Sequence, residues 1–344
     1  MGSILTKLRG ASVTDMIGLF LVALVVVWLL VNFFKSPTEF INIGLIGLTT
    51  GMIYGVVALG YTLVYGILQL INFAHGDVFA LSGLVASTVI ISVLGLDVNS
   101  STIAVIGGLA FTLVVIMVGF SLFNASIERV AYRPLRHAPR LAPLITAVGM
   151  SFIVQNIALA TYGVNYRTVP NFIPRTNAIH IGDIVYSWSK ASVLIIVIPL
   201  LIGLSWFIRS TKQGKAMRAV SQDTEASAMM GIDVNRTISV TFLLAGSLAG
   251  AAGIVYLLQF NMRYDTGFEL GLIAFTAAVL GGIGNLTGAV LGALLIGFIQ
   301  AFNEGLGWHA PGSDWTRTMV FGILILILVF RPEGILGEQT PEGA

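Results

Sequence analysis

The residues best placed to do chemistry are Asn72-Phe73-Ala74-His75-Gly76-Asp77, an imidazole and a carboxylate two positions apart in apolar surroundings. The apolar stretch from Phe40 to Leu94 is too long for one membrane crossing and holds no hydrophilic loop. The turn must therefore fall at or inside the membrane face, with Asn72, His75 and Asp77 on it. Polar backbone at that depth is tolerated only when buried in protein or lining a wet cavity. Of sixteen acidic residues, Asp77 is the one expected to lie deepest. One reading is structural: Asp77 caps the next helix and His75 bonds a carbonyl. The other is a break lining a solute path, with Asn72, Phe73, His75 and Asp77 facing the cargo. The two are compatible.

A second irregularity is Gly281-Gly282-Ile283-Gly284-Asn285-Leu286-Thr287-Gly288, between apolar spans read as short, near Leu270–Leu280 and Ala289–Phe302. Interrupted glycine-rich helices point to a central pathway, here at Gly282, Gly284 and Asn285. A tight cytoplasmic turn is the plainer reading. Gly47, Gly51 and Gly55, and likewise Gly284, Gly288 and Gly292, are spaced by four, which leaves a bare strip along a helix face for a close neighbour.

A third stretch, Arg209–Arg236, is the longest strongly polar run. Within it Asp223 can cap a short helix, Thr224–Met230, and Glu225 in its first turn suits the helix dipole. Gly231 supplies the left-handed residue that closes it. At 1.5 Å per residue this helix is about 10 Å long and cannot cross a bilayer. It is a handle on the membrane surface, suited to being gripped from outside the membrane.

Catalytic patterns are missing. The four histidines, His75, His137, His180 and His309, are scattered, so no metal cluster is expected. Cysteine is absent, which removes disulfides and thiolate chemistry. Gly214-Lys215 is followed by Ala216 and lacks the upstream glycines of a phosphate loop, so nucleotide hydrolysis is not expected here. Gly-x-Ser-x-Gly and His-Glu-x-x-His are also missing.

The elements that must position these residues are membrane helices. Of 344 residues 56% are hydrophobic and only 10% charged, and mean hydropathy is +0.92. A soluble domain carries about 25% charged residues. The net charge of +2 is too small to argue for nucleic acid. Ten apolar crossings or part-crossings are expected, the first near Ile17–Phe34 and the last near Trp315–Phe330. The fold class is thus all-α and polytopic. Twelve Lys and Arg fall in one set of loops and six in the other, accounting for all eighteen. The positive-inside rule then places both termini, the 124–140 loop and Arg209–Arg236 in the cytoplasm. The largest outward loop, Gly163–Ser189, suits docking of an external partner, with Tyr186 and Trp188 expected as interfacial anchors.

Glu225-Ala226-Ser227-Ala228-Met229-Met230-Gly231 resembles the Glu-Ala-Ala-x-x-x-Gly loop of importer permeases that work with ATP-binding-cassette subunits. Ile71–Asp77, Ser126–Arg136 and Ala274–Gly284 resemble the branched-chain amino-acid permease family, its LivH-type member rather than its LivM-type partner. The likeness runs from about Phe40 to Gly337. It departs at Ser227, where the general motif has a second Ala, and in an additional first span. The resemblance implies a permease in a bacterial inner membrane, with a second related permease, two cytoplasmic ATPases and a periplasmic binding protein. ATP and Mg would sit in the ATPases, and this chain would hold no cofactor. Arg218, Asp223, Glu225, Ala226, Met229, Met230 and Gly231 would form the coupling surface, the two methionines filling an apolar pocket. The cargo would be branched-chain or other small amino acids, with amides, urea or aromatic acids as relatives' cargoes.

This divides the chain into residues 1–38, a cytoplasmic segment plus extra helix; 39–337, one permease domain whose coupling segment is 209–236; and a tail, 338–344. The main alternative is an ion-coupled transporter in which His75 and Asp77 carry protons or sodium. A purely structural scaffold is the other, and it leaves two polar breaks unexplained. The topology is directly testable: in Gln222→Cys, an impermeant thiol reagent should leave intact cells unlabelled and label inverted vesicles.

Overall fold

The computed structural model describes residues 13–136, 138–139, 141–173, 176–330 and 333–337; the expected tail, 338–344, lies outside them. The spanning helices are α1 (Val13–Lys35), α2 (Pro37–Leu68), α3 (Ala74–Thr88), α4 (Thr102–Ile127), α5 (Leu141–Tyr162) and α6 (Trp188–Ser210). Two short helices follow, α7 (Lys212–Gln222) and α8 (Thr224–Met229), then α9 (Val234–Leu257), α10 (Thr266–Gly281), α11 (Leu286–Gly305) and α12 (Thr316–Phe330). Single π-helical turns at Val89–Val93 and Glu128–Tyr132 extend α3 and α4. Among the described residues eight helices are long and apolar enough to cross a membrane, and α10 and the stretch Val22–Lys35 of α1 are shorter apolar helices.

Polar residues at the helix starts absorb the free N–H groups there. Ser101 accepts from Ala104 at 3.3 Å, Thr211 from Gly214 at 2.9 Å, Asp233 from Arg236 at 2.9 Å and Asn285 from Gly288 at 3.0 Å. Asn285 starts α11 three residues earlier than expected. Of the pair read as short, only α10 stays so, at 16 residues; α11 has 20 and is long and apolar enough to cross.

The core lies among α2, α3, α9, α10 and α11, and α4, α5, α6 and α12 present apolar faces outward. Lipid gives helices no hydrophobic reason to associate, so close backbone packing must hold them. The glycine strip of α2 supplies it. A Cβ on Gly51 would stand 2.8 Å from the Leu294 Cα, and one on Gly47 3.0 Å from the Phe298 Cα. The second strip works differently: Gly288 and Gly292 face α10, whereas Gly284 lies in the preceding turn at φ +93°.

The outward loop contains an antiparallel hairpin, β1 (Asn177–Ile181) and β2 (Ile184–Ser187), which the all-α expectation did not include. Asn42 ties it to α2, donating to the Asp183 carbonyl at 3.1 Å and accepting from Val185 N–H at 3.0 Å. Trp188 is exposed, as an anchor requires, but Tyr186 is buried, its hydroxyl 2.8 Å from that of Thr49. It holds the hairpin to α2. At the same end α1 is clasped to the α11–α12 connection. Trp28 donates to the Trp308 carbonyl at 3.1 Å, the amide of buried Asn32 meets Trp308 on both sides, and Lys35 stands 4.6 Å over the Trp308 ring.

Gly51→Ala should therefore cost about 1–3 kcal/mol by overpacking, read as a lowered thermal midpoint in detergent. Gly149→Ala, on α5 where an added Cβ meets nothing within 4 Å, should not lower it.

Candidate functional site

The α2–α3 break is short, exposed at Gln69 and buried at Asn72 and from Ala74 onward. Gln69 ends α2 in the left-handed conformation at φ 52°, its N–H bonded to the Tyr65 carbonyl at 2.7 Å. Four residues later α3 begins, its N-terminal position being Phe73. Asp77 is thus not the cap. It sits in the first turn, where the dipole favours a carboxylate. Ser151 of α5 donates to one of its oxygens at 2.5 Å, and the Gln155 amide approaches without closing a well-formed bond.

His75 is fully buried against Gly60, where an α2 side chain would leave no room for the ring. Its edge meets the Tyr61 ring at a centroid distance of 4.8 Å. The Val57 carbonyl faces the imidazole outside good hydrogen-bond geometry, and neither ring nitrogen has a well-formed partner. Tyr61 also serves the backbone: its hydroxyl accepts from the free N–H of Gly76 at 3.2 Å. Asn72 is buried and accepts from the Tyr132 hydroxyl at 2.7 Å, and Phe73 is half-buried against the core. Gly76 lies against Gly267 and Gly271 of α10. Gly271 is ten residues from Gly281, or about 15 Å along that axis.

The second irregularity is a tight turn. Gly282 and Gly284 both have positive φ, +106° and +93°. The segment 334–337 closes over it, with Ile335 N–H bonded to the Leu280 carbonyl at 2.9 Å and Leu336 N–H to that of Gly281 at 3.0 Å. The Asn285 amide donates to the Leu336 carbonyl at 2.9 Å. The two irregularities adjoin. Tyr61, Thr62 and Tyr65 of α2, Ile71 of the first break, Phe275 and Ala278 of α10, and Ile283 of the second line one crevice. Its volume of about 10 Å³ is room for roughly one water. Thr62 Oγ, beside it, has no hydrogen-bond partner.

Outside the spans, Asp223 caps α8 by accepting from Ala226 N–H at 2.8 Å. The helix stops at Met229, one residue earlier than expected, with Met230 at its C-terminal position and Gly231 at φ +83°. Ile232 N–H returns to the Ser227 carbonyl at 3.1 Å, so the end is closed by its own backbone. Glu225 is exposed, Ala226 half-buried, and Met229 and Met230 are each 82% exposed. Arg218 belongs to another task. Its guanidinium donates to the Ile208 carbonyl at the end of α6, bracing α7 rather than extending the free surface.

A third cluster was not read from the sequence as a site. Glu128, only 1% exposed, pairs with Arg136, which also donates to Asn235, and Ser239 of α9 donates to Glu128 at 2.8 Å. Burial pulls the Arg136 pKa below its ordinary value, and the adjacent Glu128 charge pulls it back. The four basic residues from Arg129 to Arg140 marked this stretch as a cytoplasmic loop and masked the buried acid beside them. Among the described residues no group of His, Asp or Glu is arranged to hold a metal.

Residues 43–329 match the family described as branched-chain amino acid transport system / permease component. The chain is 37% identical over 302 residues to the high-affinity branched-chain amino acid transport system permease protein BraD of Pseudomonas aeruginosa, covering 86% of this chain and 95% of that one. It is 35% identical over 301 residues to the LivH permease protein of Escherichia coli, again covering 86% and 95%. Among solved structures, PsaBC from Streptococcus pneumoniae in complex with Fab matches with TM-score 0.43 and 13% identity, covering 88% of this chain and 95% of that one; the likeness is too distant to carry an argument. The resemblance read from the sequence holds at the level of whole chains, and the alternative of an ion-coupled carrier is not favoured. This chain belongs to the branched-chain amino acid transport system permease family.

Proposed function

We propose that this permease works in a heteromeric importer, with a second related permease, two cytoplasmic ATPases and an external binding protein. It carries branched-chain or other small amino acids. The observation that carries the reading is the pair Met229 and Met230, each 82% exposed on a capped helix outside the spans. A methionine pair so open to water favours a partner's apolar pocket, because thioether chains adapt to irregular surfaces. Asp223 and Glu225 stand beside them for basic or amide groups. ATP and Mg belong to the ATPases. Both termini and α8 are cytoplasmic in this reading.

Cargo passes by the two breaks: Asn72, Phe73, His75 and Asp77 on one, Gly282, Gly284 and Asn285 on the other. With a crevice for about one water between them, this arrangement is a closed state. Opening it requires the helices at the breaks to move apart, driven by nucleotide-dependent motion of α8 and transmitted as rigid-body rocking.

Met229→Arg with Met230→Arg should reduce co-purification of the ATPases with the intact assembly by roughly 10-fold or more, as expected where apolar anchors dominate an interface. Undiminished recovery would sink the assignment. Gly231→Val should keep the assembly but lower solute carried per ATP hydrolysed. At φ +83° the site is sterically open, so the penalty is backbone strain of about 1–2 kcal/mol, and Gly231→Asn, which tolerates that conformation, should restore the ratio.

A further inference from the structure

We propose that Tyr132, Glu128, Arg136 and Ser239 are positioning residues that carry the movement of α8 to the α2–α3 break. The proposal rests on the reading of α8 as the docking helix. From Gly231 the chain runs directly to Asp233, which caps α9 through Arg236 N–H and accepts Thr237's hydroxyl at its carbonyl. A push on α8 therefore moves the first turns of α9. Those turns present Asn235 and Ser239, which hold Arg136 and Glu128.

Glu128 opens the π-helical turn that ends at Tyr132. Such turns are rare within α-helices and frequently occur at functional positions. The Tyr132 ring lies 5.5 Å from that of Phe242 on α9, and its hydroxyl donates to Asn72 at 2.7 Å. Asn72 then receives His75 N–H at its own carbonyl at 3.1 Å, so the last link is the start of α3. From α8 to the start of α3, each step is a bond or a ring contact between neighbours.

A relay needs more than proximity; it needs an element with two arrangements. The network has the means for a second. Arg136 Nε and Asn72 Nδ2 are buried without a hydrogen-bond partner. Spare donors inside an otherwise satisfied cluster let the same residues re-pair after a small shift of α9 against the π turn. Glu128 cannot simply leave, since a buried acid parted from its cation is strongly disfavoured. It must follow Ser239 and Arg136 as one unit. The residues act through the break and touch no cargo.

The test uses the assembled transporter in proteoliposomes, with the wild-type chain, Tyr132→Phe, Ser239→Ala and the double variant. Both substitutions remove one hydroxyl and keep the packing. The readouts are ATPase recovery on purification, the rate of ATP hydrolysis, and leucine carried per ATP hydrolysed. Each single variant should retain ATPase recovery and hydrolysis while solute carried per ATP falls roughly 5- to 10-fold, within the range of typical coupling energies. The double variant should be no worse than the lower single, because both break one line. A wild-type ratio in the singles overturns the proposal. So do losses that multiply, or a parallel fall in recovery and hydrolysis at constant ratio, which would mean a stability role. Should Tyr132→Phe not assemble, Ser239→Ala alone decides by the same ratio. ATPases that fail to recover with the wild-type chain sink the docking reading itself, a result distinct from an unchanged ratio with ATPases bound.

Discussion

Inside a hydrocarbon layer a backbone N–H or C=O has no water to turn to, so every place where a helix stops must be supplied with partners by its neighbours. Most of this fold can be understood as the answer to that requirement at two places. Where α2 stops and α3 starts, Tyr61 takes the free Gly76 N–H and Tyr132 takes the Asn72 amide oxygen. Where α10 stops and α11 starts, residues 334–337 bond the carbonyls left open at Leu280 and Gly281. Each break takes a partner from an element distant in sequence. Glycine strips then let the recruited helices approach closely enough for those bonds to form.

The first break also holds polar residues whose pairing is incomplete. His75, Asp77 and Asn72 are buried, and each retains an atom without a well-formed partner. Such groups are costly when left unpaired. In the transport cycle proposed above, incomplete pairing would keep the closed arrangement from being too favourable to leave.

What the sequence disclosed follows from the range of each interaction. The Asp223 cap and the Gly231 turn are local, complete within nine residues, and both were legible from residue type and spacing. The first break was legible from the length of an apolar run with no loop in it, and the α2 strip from a four-residue period. The cluster around Glu128 was not. Its partner Ser239 is 111 positions away and Tyr132 reaches Asn72 across 60, separations that leave no periodic trace. The start of α11 was misplaced because Gly288 reads as a turn residue, whereas the Asn285 side chain had already begun the helix. The hairpin at Asn177–Ser187 was hidden for a related reason: Tyr186, taken for an interfacial anchor, spends its hydroxyl on α2.

The clasp between α1 and Trp308 bears on how the protein is made. Asn32 and Trp28 are synthesised 276 and 280 residues ahead of their shared partner. Until the connection that carries Trp308 has been made, the Asn32 amide must find other company in lipid or at its edge. Docking of α1 therefore has to follow the synthesis of α11.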